Sequence, residues 1–132
     1  MNAKFFVPYQ TAKLLKKKGY PQGDSDMYYT PNGELKSQAD IYADLTDNDP
    51  MMYSYFLTTY HIAAPAYHEV VDWLEGKGIY ICIEVLLEKR GEFVFSSYID
   101  WIGNINQETH VGTYPTREEA LNAGILAALK KL

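Results

Sequence analysis

The chain has 132 residues, a formal net charge of −5, and a composition with 47% hydrophobic and 14% aromatic residues. This apolar content excludes global disorder, and the negative charge disfavours general binding to phosphate backbones. A single cysteine, Cys82, excludes an internal disulfide framework and a cysteine-rich zinc site. The length predicts one domain over residues 1–132, consisting of an N-terminal part at 1–62 and a core at 63–132.

We predict neither an export signal nor a membrane span. The N-terminal segment contains only the short apolar run Phe5-Phe6-Val7, whereas a secretory signal needs a longer one. No stretch of the sequence approaches the ~20 apolar residues that cross a bilayer. Together with the single cysteine, these features predict a cytoplasmic protein without a membrane partner.

In chain order, the first predicted helix is Pro8–Lys18, because a proline suits the first helical turn and Gly19 follows as a stop. Asn32-Gly33 lies between short β-prone stretches and predicts a hairpin, since both residues tolerate positive φ. The acidic stretch Ser37–Pro50 predicts a loop. The aromatic and β-branched stretch Met52–Ile62 predicts a strand.

The C-terminal half has the predicted order helix, three strands, helix. Pro65 opens the first of these helices, which we expect to end near Gly76 or Gly78, and its apolar residues recur at helical spacing. Apolar and polar residues then alternate in the stretches that we predict as strands. These strands are Ile79–Glu88, Glu92–Ile102 and Glu108–Tyr114.

The last predicted helix begins with a capping box. In Thr116-Arg117-Glu118-Glu119, the Thr116 hydroxyl is expected to accept from the Glu119 N–H, and the Glu119 carboxylate from the Thr116 N–H. Gly124 lies on the apolar side of this helix, which predicts a close approach to the sheet.

Short connections make the three predicted strands antiparallel neighbours, and the two apolar helix sides need the same sheet face to cover. The predicted fold class is therefore α+β, with an antiparallel sheet of three or more strands and the helices packed on one face. The other face is also apolar, so the N-terminal half or a second subunit is expected to cover it. The predicted interaction face comprises Tyr80, Leu86, Val94, Tyr98 and Ile102.

No metal or cofactor site is predicted. An EF-hand loop beginning at Asp24 or Asp44 would need glycine at its sixth position and glutamate at its twelfth, and the sequence has neither. The three histidines lack the short paired spacing that is typical of zinc ligands. They are His61, His68 and His110.

No catalytic residue is predicted either. Cys82 lies within a strand between apolar residues, which favours a small buried hydrophobe over an activated nucleophile. Glu84 and Asp100 fall on the same face of adjacent strands, where paired carboxylates can perform acid–base chemistry, although carboxylates on strands are commonly just exposed. Glycine-rich phosphate loops and the nucleophile elbow are absent from the sequence. We therefore expect a protein that is not an enzyme.

The helix–three-strand–helix order resembles the double-stranded-RNA-binding domain, and the segment Thr116–Leu129 is similar to the last helix of that module. In that module, lysines at the helix start hold phosphates, whereas here Glu118 and Glu119 would repel them. The resemblance implies a topology and leaves nucleic-acid binding as the alternative function. The one feature of the sequence besides topology that favours this alternative is a cluster of lysines, Lys13, Lys16, Lys17 and Lys18. Positive charge is also favourable at the C-terminal end of a helix, which explains the cluster more simply.

Short pieces spread along nearly the whole chain also follow a recognisable order. They are Val7–Leu15, Lys17–Tyr20, Tyr28-Tyr29, Asn32–Leu35, Ala63–Pro65, Val70, Asp72–Leu74, Lys77, Thr113-Tyr114 and Glu118–Leu132. This order resembles a family of small uncharacterised proteins of Bacteroides-type gut bacteria, their prophages and phages. The resemblance implies a phage-related accessory protein and assigns no activity and no site.

The sequence as a whole favours a non-enzymatic, phage- or prophage-related accessory protein. We expect it to bind an unknown protein partner, or a second copy of itself as a homodimer, through the uncovered sheet face. The alternative is a nucleic-acid-binding module with the topology of a double-stranded-RNA-binding domain.

Overall fold

The computed structural model describes residues 3–23, 25–44, 55, 57–88, 90–101 and 108–132. The chain forms two compact units, Met1–Ala66 and Tyr67–Leu132. The boundary between them lies close to the division after residue 62 that the sequence indicates. That the two parts make up a single domain stays a prediction.

The N-terminal unit begins with a short 3₁₀ helix at Ala3–Phe5, followed by helix α1 at Tyr9–Lys17. Pro8 precedes the helix in an extended conformation, with ψ of 159°, and its fixed φ suits this position. Gly19 has φ of 95°, in the left-handed region that favours glycine after a helix. The predicted first helix is therefore confirmed.

A small antiparallel sheet follows, with strand β1 at Met27–Tyr29 and strand β2 at Leu35–Ser37. Gly33 lies in the turn between them with φ of 81°, and its N–H donates to the Thr30 carbonyl, so the predicted hairpin is confirmed. The two-residue strand β3, Ile62–Ala63, pairs with the other side of β1 and completes the order β2-β1-β3. The buried core of this unit includes Tyr28, Ile41, Leu57 and Ala63.

The acidic stretch predicted as a loop at Ser37–Pro50 begins with helix α2, Gln38–Ala43, so that prediction is wrong over these residues. The Ser37 hydroxyl accepts from the Asp40 N–H at 3.1 Å and caps the helix. Ile41 is buried on its inner side. Burial of one isoleucine, together with a serine cap, thus outweighs the polar composition of this segment. The remaining residues of the predicted loop, 45–50, lie outside the described part of the chain.

The strand predicted at Met52–Ile62 is also wrong, because residues 57–60 form a helical turn and only Ile62–Ala63 is extended. The turn buries Leu57 in the core, and strand propensity depends on such context. The Lys16 ammonium donates to the carbonyl oxygens of Thr58 at 3.1 Å and His61 at 3.3 Å. A positive charge at the end of a helical turn satisfies carbonyl groups that lack intrahelical partners. The remaining residues of the predicted strand, 52–54 and 56, lie outside the described part.

The C-terminal unit has the predicted order. Helix α3 at Tyr67–Gly76 precedes strands β4 at Ile79–Leu87, β5 at Phe93–Trp101 and β6 at Glu108–Tyr114, and helix α4 at Arg117–Leu129 ends it. The sheet order is β4-β5-β6, and both pairings are antiparallel. The predicted α+β fold class is confirmed.

Helix α4 lies against the sheet face that carries the odd-numbered residues of β4 and β5. A Cβ added at Gly124 would be 2.8 Å from Ile81 Cγ2 and 2.9 Å from Ser97 Oγ, so the absent side chain permits this close packing. Helix α3 contacts both β4 and α4, and it buries Val70 and Leu74. Both helices therefore pack on this one face, as predicted.

The predicted cap of helix α4 is present in one direction. The Thr116 hydroxyl accepts from the Glu119 N–H at 3.2 Å, and Glu118 and Glu119 lie in the first turn, where the helix dipole favours negative charge. Within the described part of the chain, no hydrogen bond joins the Glu119 carboxylate to the Thr116 N–H. None of the helices that the structure describes has the length and apolar content needed to span a bilayer.

We expect Lys16→Met to lower the free energy of unfolding by about 1–3 kcal/mol, because two carbonyl groups at the helical turn lose a charged donor. Urea unfolding followed by circular dichroism measures the change. The matched control is Lys17→Met at an exposed site, for which we expect a change within about 0.5 kcal/mol. Equal effects of the two substitutions would contradict the capping role.

Gly124→Ala is expected to destabilise the protein by about 1–3 kcal/mol, because the added methyl group overlaps Ile81 and Ser97. Gly76→Ala is the matched control: no heavy atom lies within 4 Å of its added Cβ, and alanine should stabilise helix α3 by up to about 1 kcal/mol. Thermal unfolding of both variants tests the opposite signs. An unchanged Tm for Gly124→Ala would mean that the helix does not lie this close to the sheet.

Candidate functional site

The sheet face opposite the two helices is the candidate site, and we call it the outer face. Side chains alternate between the two faces of a strand, so the even-numbered residues of β4 and β5 lie on it. Its members are Tyr80, Cys82, Glu84 and Leu86 of β4; Val94, Ser96, Tyr98 and Asp100 of β5; and Glu108, His110 and Thr113 of β6.

A β-bulge decides which residues of β6 reach the outer face. Thr113 lies opposite Ser96 and His110 lies opposite Tyr98, so Val111 is the extra residue in β6. In an unbroken ladder, Val111 would face Tyr98, and His110 would point toward the helices. The bulge therefore brings His110 to the same face as Ser96.

Ser96, His110 and Thr113 form a small polar cluster at the centre of this face. The Ser96 hydroxyl lies 2.9 Å from His110 Nε2 and 3.4 Å from the Thr113 hydroxyl, and Ser96 itself is buried. A serine bonded to a histidine is the minimum arrangement for a nucleophile and its base. Within the described part of the chain, no hydrogen bond reaches His110 Nδ1, so no third group orients the ring as in a catalytic triad.

Aromatic and apolar side chains surround this polar cluster. The Tyr98 ring stacks at a tilt on the His110 ring, with the two centroids 4.9 Å apart. Tyr80 and Leu86 are exposed, and Val94 and Tyr98 are half-buried. The structure thus places four of the five residues predicted for the interaction face together on the outer face; the fifth, Ile102, lies outside the described residues.

The far end of the β4–β5 hairpin is apolar on both faces of the sheet. Leu87 is 66% exposed, Phe93 61% and Val85 46%, although all three lie on the face to which the helices bind. The reason is length: helix α4 extends about 20 Å, whereas nine-residue strands extend about 30 Å. The helices therefore leave Val85 and Leu87 of β4 and Phe93 of β5 exposed on the face that they cover elsewhere.

All charged residues of β4, β5 and β6 are acidic and lie on the outer face. Asp100 lies directly opposite Glu108. Glu84 lies opposite Ser96, whereas Asp100 lies opposite Tyr80. Glu84 and Tyr80 are four positions apart along β4, which corresponds to about 13 Å. Glu84 and Asp100, which the sequence suggests as a pair, therefore lie on the same face but are not neighbours. Asp100 and Glu108 are the neighbouring carboxylates, and the sequence alone does not reveal this.

Cys82 is exposed on the outer face, so its prediction as a buried residue is wrong. β4 is the edge strand of its sheet, and both helices of the C-terminal unit pack on the opposite face. Partial loss of solvent, together with the negative charges of Glu108 and Asp100, raises the pKa of the Cys82 thiol. A raised pKa keeps the sulfur protonated and weakly nucleophilic at neutral pH, which is the opposite of what a catalytic thiol requires.

The three histidines occupy different settings. His61 is buried in the N-terminal unit, while His68 on helix α3 and His110 on β6 are exposed. Among the residues that the structure describes, no three or more His, Cys, Asp or Glu side chains come together in a way that would hold a metal ion.

No protein-family model matches the chain, and no curated protein or solved structure matches it. The resemblance to small proteins of Bacteroides-type bacteria and their phages therefore stays a prediction.

Alkylation of Cys82 tests the electrostatics of this face. We expect Asp100→Asn to speed the reaction of Cys82 with iodoacetamide at pH 8, because removing a negative charge lowers the thiol pKa and increases the thiolate fraction. The matched control is Asp72→Asn on helix α3, which makes the same change in net charge and should leave the rate unchanged. Equal rates in wild type and Asp100→Asn across pH 7–10 would contradict the proximity of Asp100 to the thiol.

Proposed function

We propose that this protein is a non-enzymatic accessory protein whose outer face binds a partner protein that presents lysine or arginine beside apolar side chains. One observation carries the proposal: the exposed face combines aromatic and apolar residues with three carboxylates, and β4, β5 and β6 contain no lysine or arginine.

The apolar part of the outer face supports protein binding. Tyrosine is enriched at protein interfaces because it offers a large contact area and a polar hydroxyl at low cost in side-chain entropy. Tyr80 and Tyr98 flank Cys82 across the β4–β5 pair, and Leu86 lies opposite Val94 toward the hairpin end. These residues offer contact area for a partner at both ends of the polar cluster.

The acidic part of the face supports a basic partner over a second copy of the same face. Two outer faces packed together would bring Glu84, Asp100 and Glu108 of both copies into one interface, and their strands offer no cation to pair with them. A partner with lysine or arginine would instead match these charges and associate faster. The predicted homodimer through this face is therefore the weaker form of the proposal.

The alternative of nucleic-acid binding gains no support from the charges of the C-terminal unit. The outer face would repel phosphates. At the start of helix α4, the Arg117 guanidinium lies over the Phe95 ring at 5.4 Å, and Glu119 is exposed beside it. The features that favour this alternative are the topology and the lysines of helix α1. Lys16 among them donates to backbone carbonyl groups of its own unit.

The biological setting of the proposal comes from the sequence. The resemblance to proteins of Bacteroides-type bacteria and their phages suggests a phage- or prophage-related role. The single cysteine favours the cytoplasm.

The test is a comparison of immobilised variants in a bacterial lysate. Glu84→Lys with Asp100→Lys reverses two charges on the outer face, and Glu69→Lys with Asp72→Lys makes the same change at exposed sites on helix α3. We expect wild type and the α3 variant to retain the same basic protein, and the outer-face variant to lose it. Retention by all three, or by none, contradicts the proposal.

Binding of the purified partner then tests the apolar contribution. We expect Tyr98→Ala to weaken affinity by about tenfold or more, because a tyrosine at the centre of an interface commonly contributes over 1 kcal/mol. A gel shift with duplex RNA at low salt provides the competing outcome. A clear shift of the wild-type protein there would favour the nucleic-acid alternative, since phosphate contacts are strongest at low salt.

A further inference from the structure

The free edge of strand β4 is a second surface, distinct from the outer face. β4 is at the end of the sheet order β4-β5-β6, and no other strand of the described chain pairs with its outer side. Natural proteins usually blunt such edges with charged side chains, above all lysine, with proline, with a bulge or with a very short strand. β4 has nine residues, IYICIEVLL, and Glu84 is its one charged residue; it has neither proline nor lysine, and the bulge described above lies in the β5–β6 pairing.

The ladder indicates which backbone groups of β4 face the open side. The Glu88 N–H donates to the Glu92 carbonyl at 2.8 Å, just beyond the strands. Hydrogen-bonded pairs recur every second residue in an antiparallel ladder, so the even-numbered residues of β4 bond to β5. The odd-numbered residues, among them Ile83, Val85 and Leu87, therefore present their N–H and C=O groups to the free edge.

This edge is open along its second half. Residues 84–88 are exposed whichever face their side chains occupy, whereas Ile79 at the strand start is buried. This open half of β4 also carries three exposed apolar residues in succession, Val85, Leu86 and Leu87. A strand added there would bury apolar side chains on both faces and satisfy a row of backbone groups.

We propose that β4 pairs antiparallel with β4 of a second copy, about a two-fold axis at Val85, to form a continuous six-stranded sheet. In this register Val85 faces its own copy, Ile83 faces Leu87, and Glu84 faces Leu86. A two-fold axis at Glu84 would set two carboxylates directly opposite each other, and an axis at Leu86 would set Glu84 opposite Glu88; both are unfavourable. An axis at Ile83 would extend the pairing to the strand start, where Ile79 is buried, and an axis at Leu87 would leave most of β4 beyond the pairing. The charge pattern and the open half of the strand together select the register centred on Val85. In this register each copy presents the same exposed apolar segment to the other, which makes the second copy the occupant.

The edge dimer is independent of the partner proposed for the outer face. It joins the two copies side by side, so that the outer faces of both remain exposed on the same side of the enlarged sheet. The two proposals therefore have separate readouts, which are oligomeric state for the edge and retention of a basic protein for the face.

Sedimentation of the wild-type chain is expected to show a species of twice 15.1 kDa that dissociates on dilution. Val85→Pro removes the N–H at the centre of the pairing, and proline is tolerated on an edge strand when its N–H would face outward. We expect the dimer dissociation constant to rise by about tenfold or more, with an unchanged circular dichroism spectrum. Val85→Thr keeps the N–H and the β-branched shape, and it should remain dimeric.

Disulfide cross-linking tests the register in a Cys82→Ser background. Val85→Cys places two sulfurs across the axis on Cα atoms about 5.5 Å apart, which a disulfide bridges. Leu87→Cys places them about 13 Å apart, beyond its reach. We expect oxidation to cross-link the first variant and not the second. A wild-type monomer at every concentration, an unaffected dimer in Val85→Pro, or equal cross-linking of both cysteine variants would overturn the proposal.

Discussion

The contact between helix α4 and the sheet at Gly124 is the constraint on which the C-terminal unit depends. A helix that lies this close to Ile81 and Ser97 excludes solvent from the part of the sheet face beneath it. Because helix α3 shares the same side through its contacts with β4 and α4, no helix of this unit remains for the outer face. The lack of helices of this unit on the outer face is therefore a consequence of how α3 and α4 pack.

The outer face differs from an ordinary solvated sheet surface in the distribution of its charges. All three carboxylates of the strands lie on it, among tyrosine, leucine and valine side chains. Asp100 and Glu108 oppose each other across two strands, an arrangement that costs stability in the isolated protein. A cationic partner would relieve this repulsion, which is why the electrostatics favour a heterologous protein over nucleic acid or a second outer face.

The bulge in β6 and the reach of the hairpin are the two features that shape this surface most directly. One extra residue moves His110 to the outer face and into contact with Ser96 and Tyr98. The hairpin end projects past the helices because strands extend twice as far per residue as helices do. The protein thus has a polar cluster at the centre of one face and an apolar edge at one end.

Alternation of apolar residues and the Thr116 cap determined the order and type of the C-terminal elements, because period and capping are local properties of the chain. The proline and glycine that bound helix α1 and the Asn32-Gly33 turn are local signals of the same kind, and they determined the first helix and the hairpin. Tertiary structure decided the other features. Leu57 and Ile41 are buried in a helical turn and a short helix where composition indicated a strand and a loop. The neighbours of His110, Asp100 and Cys82 depend on the strand register and on which sheet face the helices cover. Both involve residues far apart in sequence, so they leave no local signal.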